Sequence, residues 1–244
     1  MENGKSDIFI TAVTSALNEE ENIGQLVKEV HDAFESIGKP WEMIVTNDGS
    51  TDRTAEILKE LMGQYPQLRV VTMKKRSGQT NGFDAGIRRA RGELVVTMDA
   101  DLQNNPADIP NMVKTLEEGG WDMVNGFRAK RNDPWIRLAS TKIANGTRNW
   151  LTRENIQDSA CGLKLFKRKC LDRIKLFNGM HRFMATLVKI EGYKVTEVEV
   201  THRPRTGGTS KYGVLNRVFV AFRDTFAVRW MQSRTILYEA EEME

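Results

Sequence analysis

The sequence is poor in cysteine and has no uninterrupted apolar run of membrane-spanning length. Its two cysteines among 244 residues, Cys161 and Cys170, form neither a disulfide framework nor a metal-ligand spacing. This usage fits a reducing, cytosolic compartment. The first seven residues are polar and predict no signal region. The most apolar late stretch, 214–231, contains four charged side chains and predicts no transmembrane helix, so we expect any membrane contact to be made from the surface.

A strong excess of one charge sign is also missing. Lysine and arginine number 36, and aspartate and glutamate 33, which gives a formal net charge of +3. A balance this mild gives no indication of a nucleic-acid partner, although basic residues crowd the last two-fifths of the chain. With 40% hydrophobic residues, the chain can build one sizeable core, or one domain with a C-terminal appendage.

The first hundred residues alternate short β-rich apolar runs with apolar residues at helical spacing. Runs at 8–15, 41–47, 70–73 and 94–99 predict strands, and the segments between them predict helices. This alternation predicts an α/β fold with a mostly parallel sheet that helices cover on both faces. Ligands in such sheets bind at the carboxyl ends of the strands. Polar residues directly after each strand are therefore the candidates for a site.

The alternation loosens after residue 101, and we divide the chain into a main domain, 1–212, and a C-terminal amphipathic helix with an acidic tail, 213–244. The elements expected in this half are helices at Ile109–Glu117 and Pro134–Leu151, strands at Leu163–Phe166 and Lys194–Val200, a glycine-rich basic loop at Arg203–Tyr212, and the helix from Val214 to about Ile236.

Two carboxylates follow the fourth predicted strand, Asp99 and Asp101, with one residue between them. Side chains at this spacing can converge on one cation, and their hard oxygen ligands suit Mg²⁺ or Mn²⁺. A cation there can bridge a diphosphate and neutralise the charge on a leaving nucleotide. The alternative is an acidic turn that caps the following helix. The apolar strand before the pair, together with two other polar strand ends, favours the metal site.

The other two polar strand ends each allow two interpretations. Asn47 and Asp48 could form a turn that caps a helix, or they could point into the crevice and bond to the edge of a nucleotide base. Glu19 could stabilise the start of the next helix, or it could contact the nucleotide.

In combination, these segments resemble the family 2 glycosyltransferases of the GT-A type, whose Rossmann-like fold binds nucleotide sugars. Within that family they are most similar to the dolichyl-phosphate mannosyltransferase and polyprenyl-phosphate glycosyltransferase group. The similarity extends from about Ile8 to Met231. The stretches that carry it are ALNEEENI from Ala16, NDGSTDRT from Asn47, GQTNGFDAGIRRARGELVVTMDADLQNNP from Gly78, DSACGLKLF from Asp158 and RTGGTSKY from Arg205.

The resemblance implies a role for each matching residue. Asp99, Asp101 and Gln103 would hold the metal, and Arg205 and Lys211 would contact the donor diphosphate. The implied catalytic set is Asp99, Asp101, Arg205 and Lys211. The implied nucleotide-sugar-binding set is Ser15, Leu17, Glu19, Asn47, Asp48, Ala100, Asp101, Arg205 and Lys211.

Some positions depart from the family pattern. The family often has Pro and Tyr where Ser15 and Leu17 stand, and Asp where Asn47 stands. Without the aromatic ring, stacking on the base is weaker, so the resemblance does not predict which base is bound.

The resemblance also implies an acceptor-phosphate site in the basic region after residue 127. Arginine is the natural fork for phosphate oxygens, and Arg128, Arg137 and Ser140 match the family's acceptor-phosphate residues. The alternative is that these charges form a solvated helix face. The glycine-rich loop with Arg205 and Lys211 also has two interpretations, a simple flexible loop or a lid that orders when the donor binds.

The implied reaction is inverting transfer of a sugar from a nucleoside diphosphate to a polyprenyl or dolichyl monophosphate at the cytoplasmic face of the membrane. One rival is a transferase that acts on a glycan or protein hydroxyl, which would need a carboxylate base, and Asp158 is the candidate. Another rival is a non-catalytic nucleotide-sugar sensor. Nucleotidyl transfer would require a glycine-rich basic loop near the N-terminus, and the sequence has none there.

The C-terminal helix combines an apolar stripe with arginines. This pattern fits a helix that lies in the membrane interface, or a helix whose stripe packs on the protein's own core or on another subunit. Similar proteins often continue into transmembrane segments after this point, so we expect an integral-membrane partner to supply the anchor.

Overall fold

The structure is a computed structural model that describes residues 7–129, 146–172, 174, 177–204 and 214–236, with side chains in the last segment from residue 222 onward. Its central feature is a seven-stranded sheet in the order β3-β2-β1-β4-β6-β5-β7. All neighbouring strands are parallel except β6, which is antiparallel to both β4 and β5. The strands are β1 Ile10–Ala16, β2 Trp41–Asn47, β3 Leu68–Thr72, β4 Leu94–Asp99, β5 Met123–Phe127, β6 Lys164–Lys167 and β7 Val195–Glu199.

Helices cover both faces of this sheet, as the alternating sequence pattern predicts. Strand β2 is buried along its whole length, as expected for a central strand of a parallel sheet. The helices are α1 Ile23–Ile37, α2 Thr54–Gln64, α3 Gln79–Ile87, α4 Ile109–Glu118, α5 146–152, α6 Lys169–Asp172, α7 Met184–Ile190 and α8 Val214–Ser233, with 3₁₀ turns at Pro106–Asp108 and Met180–Arg182.

The predicted elements agree with this architecture within a few residues. The strand predicted at 94–99 matches β4, and the one predicted at Lys194–Val200 contains β7. The helix predicted over Pro134–Leu151 is described only from residue 146, and the remainder lies outside the described residues. The insertion of antiparallel β6 between β4 and β5 was not predicted, because a run of four residues does not reveal its partner strands.

Two glycines on one side of α3 let this helix pack directly on β1. A Cβ atom at Gly82 would lie 2.1 Å from Ser15 Oγ, and one at Gly86 would lie 2.4 Å from Val13 Cγ1. Only glycine therefore fits at these two positions. The close approach brings the start of α3 to the carboxyl ends of β1 and β4.

At the opposite, amino-terminal edge of the sheet, the buried carboxylate of Glu42 joins three segments. It accepts hydrogen bonds from Thr11 Oγ1 at 3.0 Å, from Arg69 at 2.8 Å and from the Arg91 side chain at 2.9 Å. Burial alone would raise the pKa of Glu42, but the hydrogen bonds from Arg91 and Arg69 outweigh burial and lower this pKa below its usual value. The ionised carboxylate thus stabilises the fold at neutral pH.

Within the described ranges, no helix combines the length and the apolar character needed to cross a bilayer.

We predict that Glu42→Gln lowers the free energy of unfolding by about 2–4 kcal/mol at pH 7, because two arginines lose their ionic acceptor. A carboxylate with a lowered pKa contributes stability above its unfolded pKa and loses it as pH falls. The difference between variant and wild type should therefore shrink below about pH 4.5. Urea unfolding at pH 7 and below about pH 4.5 measures this difference in free energy, and the exposed Glu60→Gln serves as the control. An equal deficit at neutral and acid pH would contradict the assignment.

Candidate functional site

Asp99 lies at the carboxyl end of β4, with neighbours on two sides. Gln79, the first residue of α3, donates its Nε2–H to Asp99 Oδ1 at 2.7 Å. On another side the chain approaches so closely that a Cβ atom at Gly162 would lie 2.4 Å from Asp99 Oδ2. These contacts restrict the orientation of the carboxylate, and they depend on residues distant from Asp99 in the sequence.

A tight turn follows Asp99 and places Asp101 and Gln103. Leu102, a buried non-glycine residue, has a φ of 59° in this turn. This left-handed conformation costs on the order of 1–2 kcal/mol, and such strain clusters at functional sites. Asp101 Oδ1 accepts a hydrogen bond from the Gln103 N–H at 3.3 Å. This hydrogen bond closes the turn internally, and the 3₁₀ turn that follows is capped by Asn105, whose Oδ1 accepts from the Ala107 N–H. The turn thus presents two carboxylates at one strand end.

Electrostatics at this strand end favour a cation. Burial, followed by the negative charge of Asp101, raises the pKa of Asp99 to about 6. Among the described residues, no group of three or more His, Cys, Asp or Glu side chains is arranged to hold a metal ion. A protein site for Mg²⁺ often has only one or two carboxylates, with water and substrate phosphates as the other ligands. Asp99 and Asp101 fit a divalent ion of this kind.

The predicted nucleotide-binding residues of β1 and β2 meet at the same sheet edge. Ser15 pairs in register with Asp99 on one side and with Thr46 on the other, and Ala16 pairs with Asn47. The predicted Ser15, Asn47 and Asp99 are therefore neighbours in space although 84 positions separate the first from the last. Leu17 and Glu19 follow in the next loop, where both are partly buried, and Ala100 is buried beside Asp99.

Asp48 and Asn47 are buried and have structural partners. Asp48 accepts hydrogen bonds from the backbone N–H groups of Ser77 at 2.6 Å and Gly78 at 2.7 Å. Asn47 Oδ1 accepts from the Ser50 N–H at 3.0 Å. Asn47 therefore stabilises the turn after β2, whereas Asp48 holds the segment before α3, and α2 begins at Thr54 without a side-chain cap. A role for either one in reading a base stays a prediction.

Arg128, a predicted acceptor-phosphate residue, forms a buried bidentate ion pair with Asp158. Its Nε lies 2.6 Å from Asp158 Oδ2, and a terminal nitrogen lies 3.0 Å from Oδ1. Burial lowers the pKa of Arg128, but the hydrogen bond to Asp158 and the negative charges nearby together outweigh burial and raise this pKa. The Arg128 guanidinium, predicted to bind the acceptor phosphate, is thus paired with the Asp158 carboxylate.

Four predicted site residues, Arg137, Ser140, Arg205 and Lys211, lie outside the described residues. The described segment just before Arg205 is anchored beside the acidic turn. The Arg203 N–H donates to the Gln103 carbonyl at 3.0 Å, and Asn104 forms a β-bridge with His202. The sequence did not predict this proximity of His202 to the turn.

A cavity of about 240 Å³ opens beside Asp99, toward β6. Lys164 of β6 and Arg182 of the 3₁₀ turn contribute its cationic lining. Lys164 is buried, and its Nζ contacts the Cys161 carbonyl oxygen. Burial lowers the pKa of Lys164. The sequence leaves the role of Arg182 open and does not single out Lys164. The register that pairs Thr97 with Lys164 reveals the position of this lysine only in the folded chain.

Known proteins share much of this sequence. The family model for "Glycosyl transferase family 2" matches residues 11–175. The chain is 37% identical over 223 residues to the dodecaprenyl-phosphate galacturonate synthase of Rhizobium johnstonii, covering 90% of this chain and 66% of the relative. It is 32% identical over 220 residues to the undecaprenyl-phosphate 4-deoxy-4-formamido-L-arabinose transferase of Edwardsiella ictaluri, covering 89% and 67%. The chain thus spans about two thirds of the length of these relatives.

A solved structure supports the fold. The glucosyl-3-phosphoglycerate synthase of Mycobacterium tuberculosis, in complex with Mn²⁺, UDP-glucose and glycerol 3-phosphate, superimposes with a TM-score of 0.68. Sequence identity is 20%, and the match covers 93% of this chain and 81% of that one. At this identity the likeness is one of fold, and it confirms the predicted GT-A architecture.

We predict that Mn²⁺ affinity falls roughly tenfold per pH unit below about pH 6, because a proton then competes with the cation for Asp99. Electron paramagnetic resonance of free Mn²⁺, measured during titration with the protein, gives this affinity. Asp99→Asn should bind Mn²⁺ more weakly and show a flatter pH dependence. A wild-type affinity that stays constant between about pH 5 and 7 would exclude Asp99 as a ligand.

Proposed function

Because the chain belongs to glycosyltransferase family 2, we propose that it transfers a sugar from a nucleoside diphosphate to a polyprenyl or dolichyl monophosphate. The observation that carries this proposal is the pair Asp99 and Asp101 at the carboxyl end of β4, next to a cavity with cationic lining. Two relatives whose names specify prenyl-phosphate acceptors support this acceptor class.

In this proposal the two sides of β4 bind different substrates. The ends of β1 and β2, with Ser15, Leu17, Glu19, Asn47 and Asp48, form the donor side. Asp99, Asp101 and Gln103 hold Mg²⁺ or Mn²⁺, and a neighbour of the same fold crystallised with Mn²⁺ and UDP-glucose supports such an ion. The anchoring of Arg203 at Gln103 supports a role for Arg205 and Lys211 at the donor diphosphate.

The chemistry requires little proton transfer. A phosphate monoester has its second pKa near 6, so an acceptor oxygen is already ionised at neutral pH. This oxygen forms a bond to the anomeric carbon while the bond from that carbon to the diphosphate oxygen breaks, and the configuration inverts. When bound, the divalent ion would neutralise charge on the leaving diphosphate. The protein's contribution is to orient the two reactants and to stabilise charge.

Asp158 bears on the rival hydroxyl acceptor, which would need a general base. Both of its carboxylate oxygens are bonded to Arg128, and Oδ1 also accepts from the Ala160 N–H at 3.2 Å. A carboxylate paired with a guanidinium is a weak proton acceptor. This arrangement favours an acceptor that is ionised before it binds. The products also differ, because mild acid cleaves a phosphosugar and leaves an ordinary glycoside intact.

We further propose that α8 contacts the membrane surface. Phe222, Phe226 and Trp230 follow each other at helical spacing and are 49%, 50% and 64% exposed. The opposite side of α8, including Val228, is buried. The stripe therefore does not pack on the core in the part of α8 whose side chains are described. Exposed aromatic rings beside arginines such as Arg223 suit an anionic bilayer surface.

This helix is joined to the main domain. Gln232 Nε2 donates to the Thr152 carbonyl of α5 at 3.0 Å, and Val228 belongs to an apolar cluster with residues of α7. We propose a division into a catalytic domain, 1–212, and a membrane-facing segment, 213–244, whose described helix packs on that domain. Both cysteines are buried free thiols, which supports a reducing compartment at the cytoplasmic face. An integral-membrane partner stays a prediction.

We expect Asp101→Ala to lower turnover at least about 10³-fold, because the metal would lose a ligand at the point where leaving-group charge develops. The assay combines labelled UDP- or GDP-sugars, Mg²⁺ or Mn²⁺, and undecaprenyl or dolichyl phosphate. The exposed Asp32→Ala serves as the matched control. Circular dichroism should show both variants folded. Full activity of Asp101→Ala would refute the metal assignment, and donor binding without turnover on any acceptor would support a non-catalytic sensor.

For the membrane surface, replacing Phe222, Phe226 and Trp230 by Ser should reduce binding to vesicles containing phosphatidylglycerol about tenfold or more, because the bilayer no longer buries three aromatic rings. Co-sedimentation measures the bound fraction. Met62→Ser, at an apolar residue exposed on α2, should leave binding unchanged. If the triple variant binds vesicles normally but loses concentration-dependent self-association, the stripe is a subunit contact instead.

A further inference from the structure

The cavity beside Asp99 lies away from the predicted donor side. In the sheet order, β1 and β2 lie on one side of β4, and β6 lies on the other. The cavity is lined by Asp99 of β4 and Lys164 of β6, whereas Ser15, Asn47 and Asp48 of the first two strands are not among its described lining residues. It therefore borders the metal turn from the side that the donor loops leave open.

Two cations face one carboxylate in this cavity. Lys164 is 3% exposed. Within the described part of the chain, its Nζ donates one hydrogen bond, to the Cys161 carbonyl oxygen. An ammonium group can donate three hydrogen bonds, and burying an incompletely paired charge is costly. Arg182 adds a second positive charge to the lining. With Asp99 engaged by a metal, the cavity presents a net positive charge.

The remaining lining includes a strongly apolar part. Phe83 and Ile87 of α3 and Met184 of α7 line the same cavity as the two cations. A sugar carries hydroxyl groups on most of its edges and would leave these three side chains without an apolar partner. An amphiphile with an anionic head satisfies both parts of the lining.

One wall of the cavity is connected to the proposed membrane helix. Met184 and Val228 of α8 belong to the same apolar cluster. Close by, a Cβ atom at Gly179 would lie 2.9 Å from Asp224 Oδ2 of α8. The turn Met180–Arg182 thus packs against α8. The cavity is therefore adjacent to the helix that carries the exposed aromatic stripe.

We propose that Lys164 and Arg182 bind the phosphate of the prenyl acceptor in this cavity, while Phe83, Ile87 and Met184 contact its first isoprene unit. This inference rests on the proposed function and makes it more specific. It assigns the acceptor head to residues other than Arg128, whose guanidinium pairs with Asp158. Both cations are positioning residues that hold the attacking phosphate next to the metal turn.

Steady-state kinetics with separate variation of donor and acceptor test the assignment. The variants are Lys164→Met and Arg182→Gln, and the charge-matched controls are the exposed Lys189→Met and Arg168→Gln. Loss of one charged hydrogen bond should raise the KM for a short prenyl phosphate about 10- to 100-fold. The KM for the donor, and donor-induced thermal stabilisation, should remain within about twofold of wild type, since the donor side is intact. Lys164→Arg should recover part of the acceptor affinity.

Each outcome decides between the alternatives. An equal rise of both KM values, or a rise in the donor KM alone, would overturn the assignment to the acceptor. Unchanged acceptor KM in both variants would overturn it while leaving the function intact. If Lys164→Met does not fold, as judged by circular dichroism, Arg182→Gln alone decides. A wild-type protein that binds donor but never uses prenyl phosphate would refute the proposed function and this inference with it.

Competition separates a lipid headgroup from a free anion. Geranyl phosphate should inhibit wild-type turnover at a lower concentration than inorganic phosphate, because only geranyl phosphate has a chain for the apolar lining. Equal inhibition by the two would contradict the placement of the isoprene unit. Geranyl phosphate should inhibit Arg182→Gln less strongly than wild type and should inhibit Arg168→Gln as strongly as wild type. This result would support the placement of the isoprene unit.

Discussion

The confinement of two carboxylates at the end of β4 is the constraint on which the site depends. Asp99 is hydrogen bonded to Gln79, closely approached by Gly162 and subject to the negative charge of Asp101. Burial makes this charge costly, and the raised pKa of Asp99 expresses that cost. A divalent cation bound together with an anionic substrate would relieve the repulsion. Binding of such a cation would therefore convert this repulsion into affinity.

Polar residues near Asp99 also hold the surrounding loops and α3 in place. Asp48 holds the Ser77–Gly78 turn that begins α3, and Gln79 then reaches Asp99. Gly82 allows α3 to approach β1 closely enough for this geometry. Because α3 connects the loop after β2 to the acidic turn after β4, a movement of α3 would displace both.

The antiparallel strand β6 creates the second half of the site. By pairing with β4 and β5, it brings Lys164 next to Asp99 and interrupts the parallel arrangement of the sheet. The 3₁₀ turn Met180–Arg182 completes the cavity, and α8 supports this turn. In the proposed function, α8 lies at the membrane surface next to this cavity, which gives a short path between a bilayer and the acidic turn. The architecture thus suits a soluble donor and a lipid acceptor that reach β4 from different sides.

The sequence by itself determined the features that are contiguous in the chain. Strand β4, the polar loops after β1 and β2, and the acidic pair could be predicted because local apolar periodicity and short motifs encode them. The neighbours of β6, the pairing of Arg128 with Asp158 and the cavity with Lys164 and Arg182 were decided only by tertiary structure. Each depends on contacts between residues far apart in sequence, such as Thr97 with Lys164 across the sheet. Strand register and helix packing set these contacts, and neither is encoded in a local pattern.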